Sequence, residues 1–215
     1  MITTNSKPSE TARKKGRPLS FDRDVALQKA MMLFWRHGYE ATSLNDLTSA
    51  LGVKPSSIYT VFGDKKRLFL EAVALYMAGP VTSELIIAKA KNGCDAAMEL
   101  LKTAVKGFTG ENTPAGCLLA TSAISCSDAA SDVQEELAVI RRGIEGQLQE
   151  KVQASIDAGI LPGDSDAEAL AGMTMALIQG LSTLARDGAS REKLDRLVDA
   201  AMKAWPAPEK INQST

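Results

Sequence analysis

Apolar residues recur at three- and four-residue spacing through almost the whole 215-residue chain, and no stretch alternates at the two-residue period of a strand. The pattern predicts an all-α protein. A first helix is expected from about Asp22 to His37, with Val25, Ala26, Ala30, Leu33 and Phe34 on its packing face and Gly38 as its stop. Thr42 and Ser43 open a short second helix whose Leu44, Leu47 and Leu51 repeat at i, i+3, i+7, and Gly52 ends it. Pro55 suits the first turn of a third helix, because the amide it lacks would have no acceptor there. Ile58 and Phe62 form that helix's inward face; Ser56, Ser57, Tyr59 and Thr60 are left for a partner. After Gly63-Asp64 a fourth helix runs from Lys65 to about Met77, packing through Leu68, Phe69, Ala72, Val73 and Tyr76.

Gly79-Pro80 marks a boundary between a small head and a larger body. Six more helices are expected beyond it: about Val81 to Lys91, Asp95 to Phe108, Cys117 to Ser125, Asp132 to Ala158, Asp166 to Arg186 and Arg191 to Ala204. The chain thus divides into a flexible basic arm (1–20), a three-helix helix-turn-helix domain (21–78), a helical body (79–205) and a disordered tail (206–215).

Charge sharpens this division. Met1 to Ala78 carries 12 Lys+Arg against 7 Asp+Glu, and the remainder 13 against 19, inside a net charge of only −1. A basic head on an acidic body suits a nucleic-acid-binding unit, because phosphate contacts need cations, with an ordinary fluctuation of charge along a soluble chain as the alternative until a motif supports it. No apolar run reaches the roughly 20 residues of a membrane span. The segment from Met1 to Arg17 is basic without a following apolar core, so it is expected to be no secretory signal and the protein to be cytoplasmic. Cys94, Cys117 and Cys126 are too few for a disulfide framework. With His37 as the single histidine, no His-Glu-x-x-His pair, no glycine-rich phosphate loop and no nucleophile elbow, the residues suggest neither an enzyme nor a metal or cofactor site. An enzyme built on a helical scaffold and a helical ligand-binding or protein-docking module without DNA activity are the rival readings.

Two short helices joined by a turn containing Gly52 form the framework of a helix-turn-helix, in which the second helix enters the major groove. The run Phe34-Trp35-Arg36-His37-Gly38-Tyr39-Glu40-Ala41-Thr42-Ser43-Leu44, followed by Leu51-Gly52-Val53-Lys54-Pro55-Ser56-Ser57-Ile58-Tyr59-Thr60-Val61-Phe62-Gly63-Asp64-Lys65, resembles the TetR family of tetracycline-repressor-like regulators. The resemblance covers about Phe21 to Tyr76. It implies a ligand-responsive regulator that binds a palindromic double-stranded DNA operator as a homodimer, with activation an alternative to repression.

On that resemblance, Thr42 or Ser43 would give a hydroxyl and backbone amides to a phosphate, Tyr59 its phenol to the DNA backbone, and Lys65 a second phosphate contact. Base readout would fall to Lys54, Pro55, Ser56, Ser57 and Thr60. Thr60 and Val61 are smaller than the aromatic or His residues typical of the family there, so the preferred operator is expected to differ. In the arm, Arg17 is the best choice for a minor-groove or phosphate contact, and a merely solvated charge run is the alternative.

Palindromic recognition requires two protomers. Ile140, Ile144, Leu148 and Val152 on one long helix, and Met173, Ala176, Leu177, Gly180 and Leu184 on the next, form stripes expected at the dimer interface, with intrachain core as the alternative. An unknown small-molecule effector is implied by the family, in a pocket among the helices between Val81 and Ala158. Met98, Leu101, Cys117, Leu118, Thr121 and Ile124 are expected to line it, each also explicable as plain core. Cys117 or Cys126 is a further option as a redox-active thiol, Cys117 because a helix N-terminus lowers a thiol's pKa.

Overall fold

The computed structural model describes residues 22–79 and 81–206, so Arg17, the basic arm and the tail from 207 onward lie outside it. Ten α-helices and no strand occur among the described residues. The head holds α1 (Arg23–His37), α2 (Leu44–Leu51), α3 (Pro55–Phe62) and α4 (Lys65–Met77). The body holds α5 (Ser83–Lys89), α6 (Gly93–Phe108), α7 (Leu118–Thr121), α8 (Ser131–Asp157), α9 (Ala167–Arg186) and α10 (Arg191–Met202), with a 3₁₀ turn, Asp128–Ala130, before α8.

Short polar side chains begin most of these helices by accepting from otherwise orphaned amides of the first turn. Asp22 accepts from the Asp24 and Val25 amides, Asp64 from Arg67, Asn92 from Asp95, Asp166 from Ala169 and Ser190 from Lys193. Ser43 and Asp46 make a reciprocal capping box at α2, and Pro55 occupies the first turn of α3.

The head closes around Phe34, Leu47, Ile58, Phe62, Leu68 and Phe69, all buried. Phe34 meets Phe69 edge-on at 5.0 Å between ring centroids, and Arg23 ties α1 to α4 through Glu71 while lying 5.0 Å over the Phe62 ring. Val25, expected on the packing face, is instead 47% exposed; Ala26, Ala30 and Phe34 define that face without it.

The head core runs without a break into the body, where Leu101, Val105, Leu118, Leu137 and Leu181 join the same cluster. A second cluster at the far end gathers Ile87, Ala96, Leu100, Leu148, Val152, Leu161 and Trp205. Two expectations need correction here. Ile144, Leu148 and Val152 face inward, so the stripe along α8 is core of the subunit and offers nothing to a partner; Ile140 is half-buried against the same core. The seventh helix is four residues long rather than Cys117 to Ser125: the Leu119 carbonyl, which the next helical amide would need, accepts from Arg141 at 2.6 Å, and the chain then turns so that the Ser122 carbonyl accepts from the Tyr39 amide of the head at 2.7 Å.

Along α9, Met173, Ala176 and Gly180 are exposed and Leu177 and Leu184 half-buried, so this stripe does face outward. The outward face of α8 carries Val139, Gly143 and Gln147 instead of the predicted residues.

Helices α6 and α8 approach so closely that a Cβ on Gly93 would lie 2.7 Å from the Val152 Cα, a backbone atom unable to swing aside. Gly93→Ala is therefore expected to lower stability by about 1–3 kcal/mol, the scale of overpacking a well-filled core. Denaturant midpoints measured at equal protomer concentration check this, and an unchanged midpoint would show that the two helices spread freely.

Candidate nucleic-acid interface and the cavity behind it

Helix α3 owes its orientation to Ile58 and Phe62, which are buried completely and almost completely beneath it. With that face anchored, Lys54, Pro55, Ser56, Tyr59 and Thr60 are exposed and Ser57 is half-buried at their edge. Tyr59 is 52% exposed, far more than a packed aromatic, and carries its phenol on the outer surface. The Thr60 hydroxyl donates to the Ser56 carbonyl at 2.8 Å, so its proton is committed within the helix while the residue stays exposed. Six of the predicted contact residues thus lie together on the outward side of α3 and its N-cap, all but Pro55 with polar side chains.

The other predicted contacts are arranged differently. Thr42 is 1% exposed and its hydroxyl donates to the Gly38 carbonyl at 2.6 Å, so its side chain finishes the end of α1 and is unavailable to a phosphate. Ser43 is exposed but engaged: its Oγ donates to Asp46 Oδ2 at 2.6 Å and accepts from the Asp46 amide. The Ser43 hydroxyl and the Ser43 amide both donate to the Asp46 carboxyl, which holds it below its usual range and places a negative charge beside the expected phosphate position. The first-turn amides of α2, rather than either hydroxyl, are the donors left there. Lys65 lies 4.4 Å over the Tyr39 ring and donates to the Glu40 carbonyl at 3.4 Å; partial burial lowers its pKa. Its ammonium is held against the head's surface and retains further donors.

The junction between head and body is built from hydrogen bonds to the end of α1. Trp35 Nε1 donates to the Gly116 carbonyl at 3.0 Å. Arg186, in the last turn of α9, donates to the Trp35 carbonyl at 3.1 Å, the Arg36 carbonyl at 2.8 Å and Thr121 Oγ1 at 3.1 Å. The Ser127 amide donates to Glu40, whose carboxyl is held below its usual range by Ser127, and Lys66 donates to Asp132 at 2.6 Å. The segment from Gly116 to Ser122 is therefore a strap that lies directly against the head. Gly116 has φ +81°, and a Cβ there would sit 2.8 Å from the Ser182 carbonyl oxygen, so the strap's path requires glycine.

The opposite side of the strap faces a cavity of about 230 Å³ among α4, α5, α6, α8 and α9. Cys117, Leu119 and Ala120 of the strap line it, together with Tyr76, Leu100, Thr103, Ala104, Phe108, Ile144 and Met175 among others. Of the residues expected to line a pocket, only Cys117 does so. Leu101 and Leu118 are core, and Met98 is half-buried against that core. Thr121 donates to the Cys117 carbonyl at 2.7 Å and turns toward Arg186, and Ile124 is 54% exposed on the surface. The cavity-facing row of α6, Leu100, Thr103, Ala104 and Gly107, follows an i, i+3, i+4, i+7 pattern one register away from the residues predicted. That mixed row was the signal available in the sequence.

Tyr76 donates to Cys117 Sγ at 3.4 Å, and burial pushes both groups' pKa values up. The Cys117 amide position at a helix start does favour the thiolate, as expected, yet desolvation outweighs it, so the thiol is neutral. The Cys126 thiol is also raised by burial and the nearby Glu40. Neither cysteine is poised as a thiolate.

Comparison with known proteins agrees with this architecture. The family described as "Bacterial regulatory proteins, tetR family" matches residues 26–72, and "Tetracyclin repressor-like, C-terminal domain" matches residues 93–201. The chain is 36% identical over 195 residues to the HTH-type transcriptional repressor ComR of Escherichia coli K12, covering 89% of this chain and 92% of that protein. It is 37% identical to a cysteine mutant of the TetR family regulator CifR solved with a 26 bp double-stranded operator DNA, at a TM-score of 0.83, covering 89% of this chain and 100% of that one. Reduced NemR of E. coli, 19% identical with a TM-score of 0.72 over 87% of this chain and 98% of its own, shares the fold. With both family models matched and relatives of 36–37% identity covered almost end to end, the chain, whose exposed α3 stands on a buried Ile58–Phe62 base, belongs to the TetR family of DNA-binding transcriptional regulators and not to an enzyme family.

Proposed function

We propose that the protein is a homodimeric repressor that binds a palindromic operator through the surface from Lys54 to Thr60 and is released by a small molecule held in the cavity behind the strap. One observation carries the effector part: the same short strap lines the cavity with Cys117, Leu119 and Ala120 and holds the end of α1 through the Gly116 and Ser122 carbonyls. A ligand that fits only one position of the strap shifts the population of head orientations by its differential affinity.

The DNA part rests on the exposed row of α3. Lys54, Ser56, Ser57 and Thr60 offer donors and acceptors for base edges and Pro55 an apolar surface for a thymine methyl, while Tyr59 reaches a phosphate. One such helix reads few base pairs, so two heads must engage half-sites about one DNA turn, roughly 34 Å, apart. The outward face of α9, Met173, Ala176, Leu177, Gly180 and Leu184, is available for pairing, next to Val139 and Gly143 of α8. Gly143 and Gly180 have no neighbour within 4 Å of a built Cβ, so a partner helix can come close at both. The site of action is the cytoplasm, where the DNA lies; among the described residues no helix is long and apolar enough to cross a membrane.

Selection of bound fragments from a random duplex pool, followed by titration at two salt concentrations, tests this function. Affinity is expected to fall steeply as salt rises, whereas a docking module would ignore DNA throughout. Tyr59→Phe should weaken every duplex alike by about tenfold, the scale of a lost charge-assisted hydrogen bond. Ser57→Ala should instead change the preferred sequence, and the reverse pattern would overturn these roles.

The junction gives a second test. Arg186→Met removes three donors from the end of α1 and from Thr121. Hydrogen exchange of the Tyr39 amide, bonded to the Ser122 carbonyl, is expected to accelerate about tenfold or more while core amides of α6 stay protected. Equal acceleration in both places would mean that Arg186 supports global stability only.

A further inference from the structure

Arg141 is the one cation among the cavity-lining residues, and none of them is acidic. It projects from α8, where its Nη1 donates to the Leu119 carbonyl of the strap at 2.6 Å. The three ion pairs among the described residues are Arg23–Glu71, Lys66–Asp132 and Arg142–Glu135, so no described carboxylate lies within 4 Å of Arg141. A guanidinium presents five N–H donors in a planar fork, and here one of them has a protein acceptor. Burial, the largest influence on it, disfavours its charged form. A cation left without a counter-charge beside an apolar wall is the arrangement that an incoming anion relieves.

The rest of the lining defines the remainder of the ligand. Ile86, Leu100, Phe108, Ile144, Met175 and Ile178 supply an apolar wall. The polar neighbour nearest the strap, the Tyr76 hydroxyl, is already directed to Cys117 Sγ. A volume of about 230 Å³ lies below the roughly 300–1,000 Å³ of sites for drug-sized ligands.

Given the cavity proposed above as the effector site, we infer that its ligand is a small amphipathic carboxylate, whose head group pairs with Arg141 and whose apolar tail lies against the wall formed by α6, α8 and α9. A carboxylate matches the guanidinium fork with two parallel hydrogen bonds, which a neutral hydroxyl does not. Cations are disfavoured by Arg141 and meet no acid in the lining. Because the same guanidinium holds the Leu119 carbonyl, an anion that draws it into the cavity also loosens or shifts the strap.

Calorimetric titration of the full-length protein with octanoate, octan-1-ol and octylamine tests the ligand class. Octanoate is expected to bind at least tenfold more tightly than octan-1-ol, and octylamine to bind weakest. Arg141→Gln should bring octanoate and octan-1-ol within about threefold of each other, and Arg141→Lys should retain part of the preference. Thermal melts of the ligand-free variants confirm that each is folded. Equal affinities for octanoate and octan-1-ol in the wild type, a preference that survives Arg141→Gln, or no octanoate binding would each overturn the carboxylate inference. Ala104→Trp, which fills the cavity, should abolish octanoate binding; retention would place the ligand elsewhere and overturn it as well. The regulatory reading fails separately, if octanoate occupies the cavity without weakening affinity for a duplex selected from the random pool.

Discussion

The end of α1 depends on the body for its hydrogen bonds. A helix leaves its last carbonyls without intrahelical donors, and burial of such groups unpaired is costly. Here the Trp35 and Arg36 carbonyls are satisfied by Arg186, more than a hundred residues away in sequence, and the Trp35 indole is satisfied by Gly116. Only the local Gly38 amide and Thr42 hydroxyl help from within the head. The aromatic pair Trp35–Tyr76, 4.9 Å apart and edge-on, brings the end of α4 into the same junction. A head finished in this way cannot reorient without exposing polar groups, so its position is bound to that of the strap.

This dependence gives the cavity its relevance. The strap is thin: one short helical turn, α7, with Cys117, Leu119 and Ala120 against the cavity and Gly116, Thr121 and Ser122 engaged on the side of the head. It lacks regular helix on either side that would stiffen it. Its amide at Cys117 is held by Ser182 Oγ at 2.8 Å and its Leu119 carbonyl by Arg141, so its position is set from α9 and α8 as well. On the proposed route, occupancy of the cavity changes those supports and the head follows.

The helices were readable from the sequence wherever local chemistry decides a boundary. Asp22, Ser43, Asp64, Asp166 and Ser190 start helices because their side chains accept from their own first turns, and Pro55 starts α3 because the missing amide does no harm there. The outward row of α3 followed from Ile58 and Phe62 alone. What resisted were questions settled by distant partners. An apolar stripe such as Ile144, Leu148 and Val152 announces burial but not against which surface, and its partner turned out to be within the subunit. Thr42 looked like an accessible hydroxyl until the fold placed the Gly38 carbonyl next to it. The shortened α7 and the unpaired Arg141 depend on contacts with the head and cavity that no local pattern encodes.

The magnitudes are compatible with control through the junction. Allosteric coupling between two sites commonly amounts to about 1–3 kcal/mol, or 5- to 150-fold in affinity. A single hydrogen bond contributes roughly 0.5–1.5 kcal/mol net, and one to a charged group about 1.5–3. Trp35–Gly116, Tyr39–Ser122 and the Arg186 bonds to Trp35 and Arg36 are therefore together ample to carry a coupling of that size, even if an effector weakens only one or two of them. No large rearrangement of the core is required. The buried clusters on either side of the cavity are close-packed, and close-packed elements move as units, so on the proposed route a small displacement of the strap would carry the whole of α1 and, through Phe34 and Phe69, α4 and α3 with it.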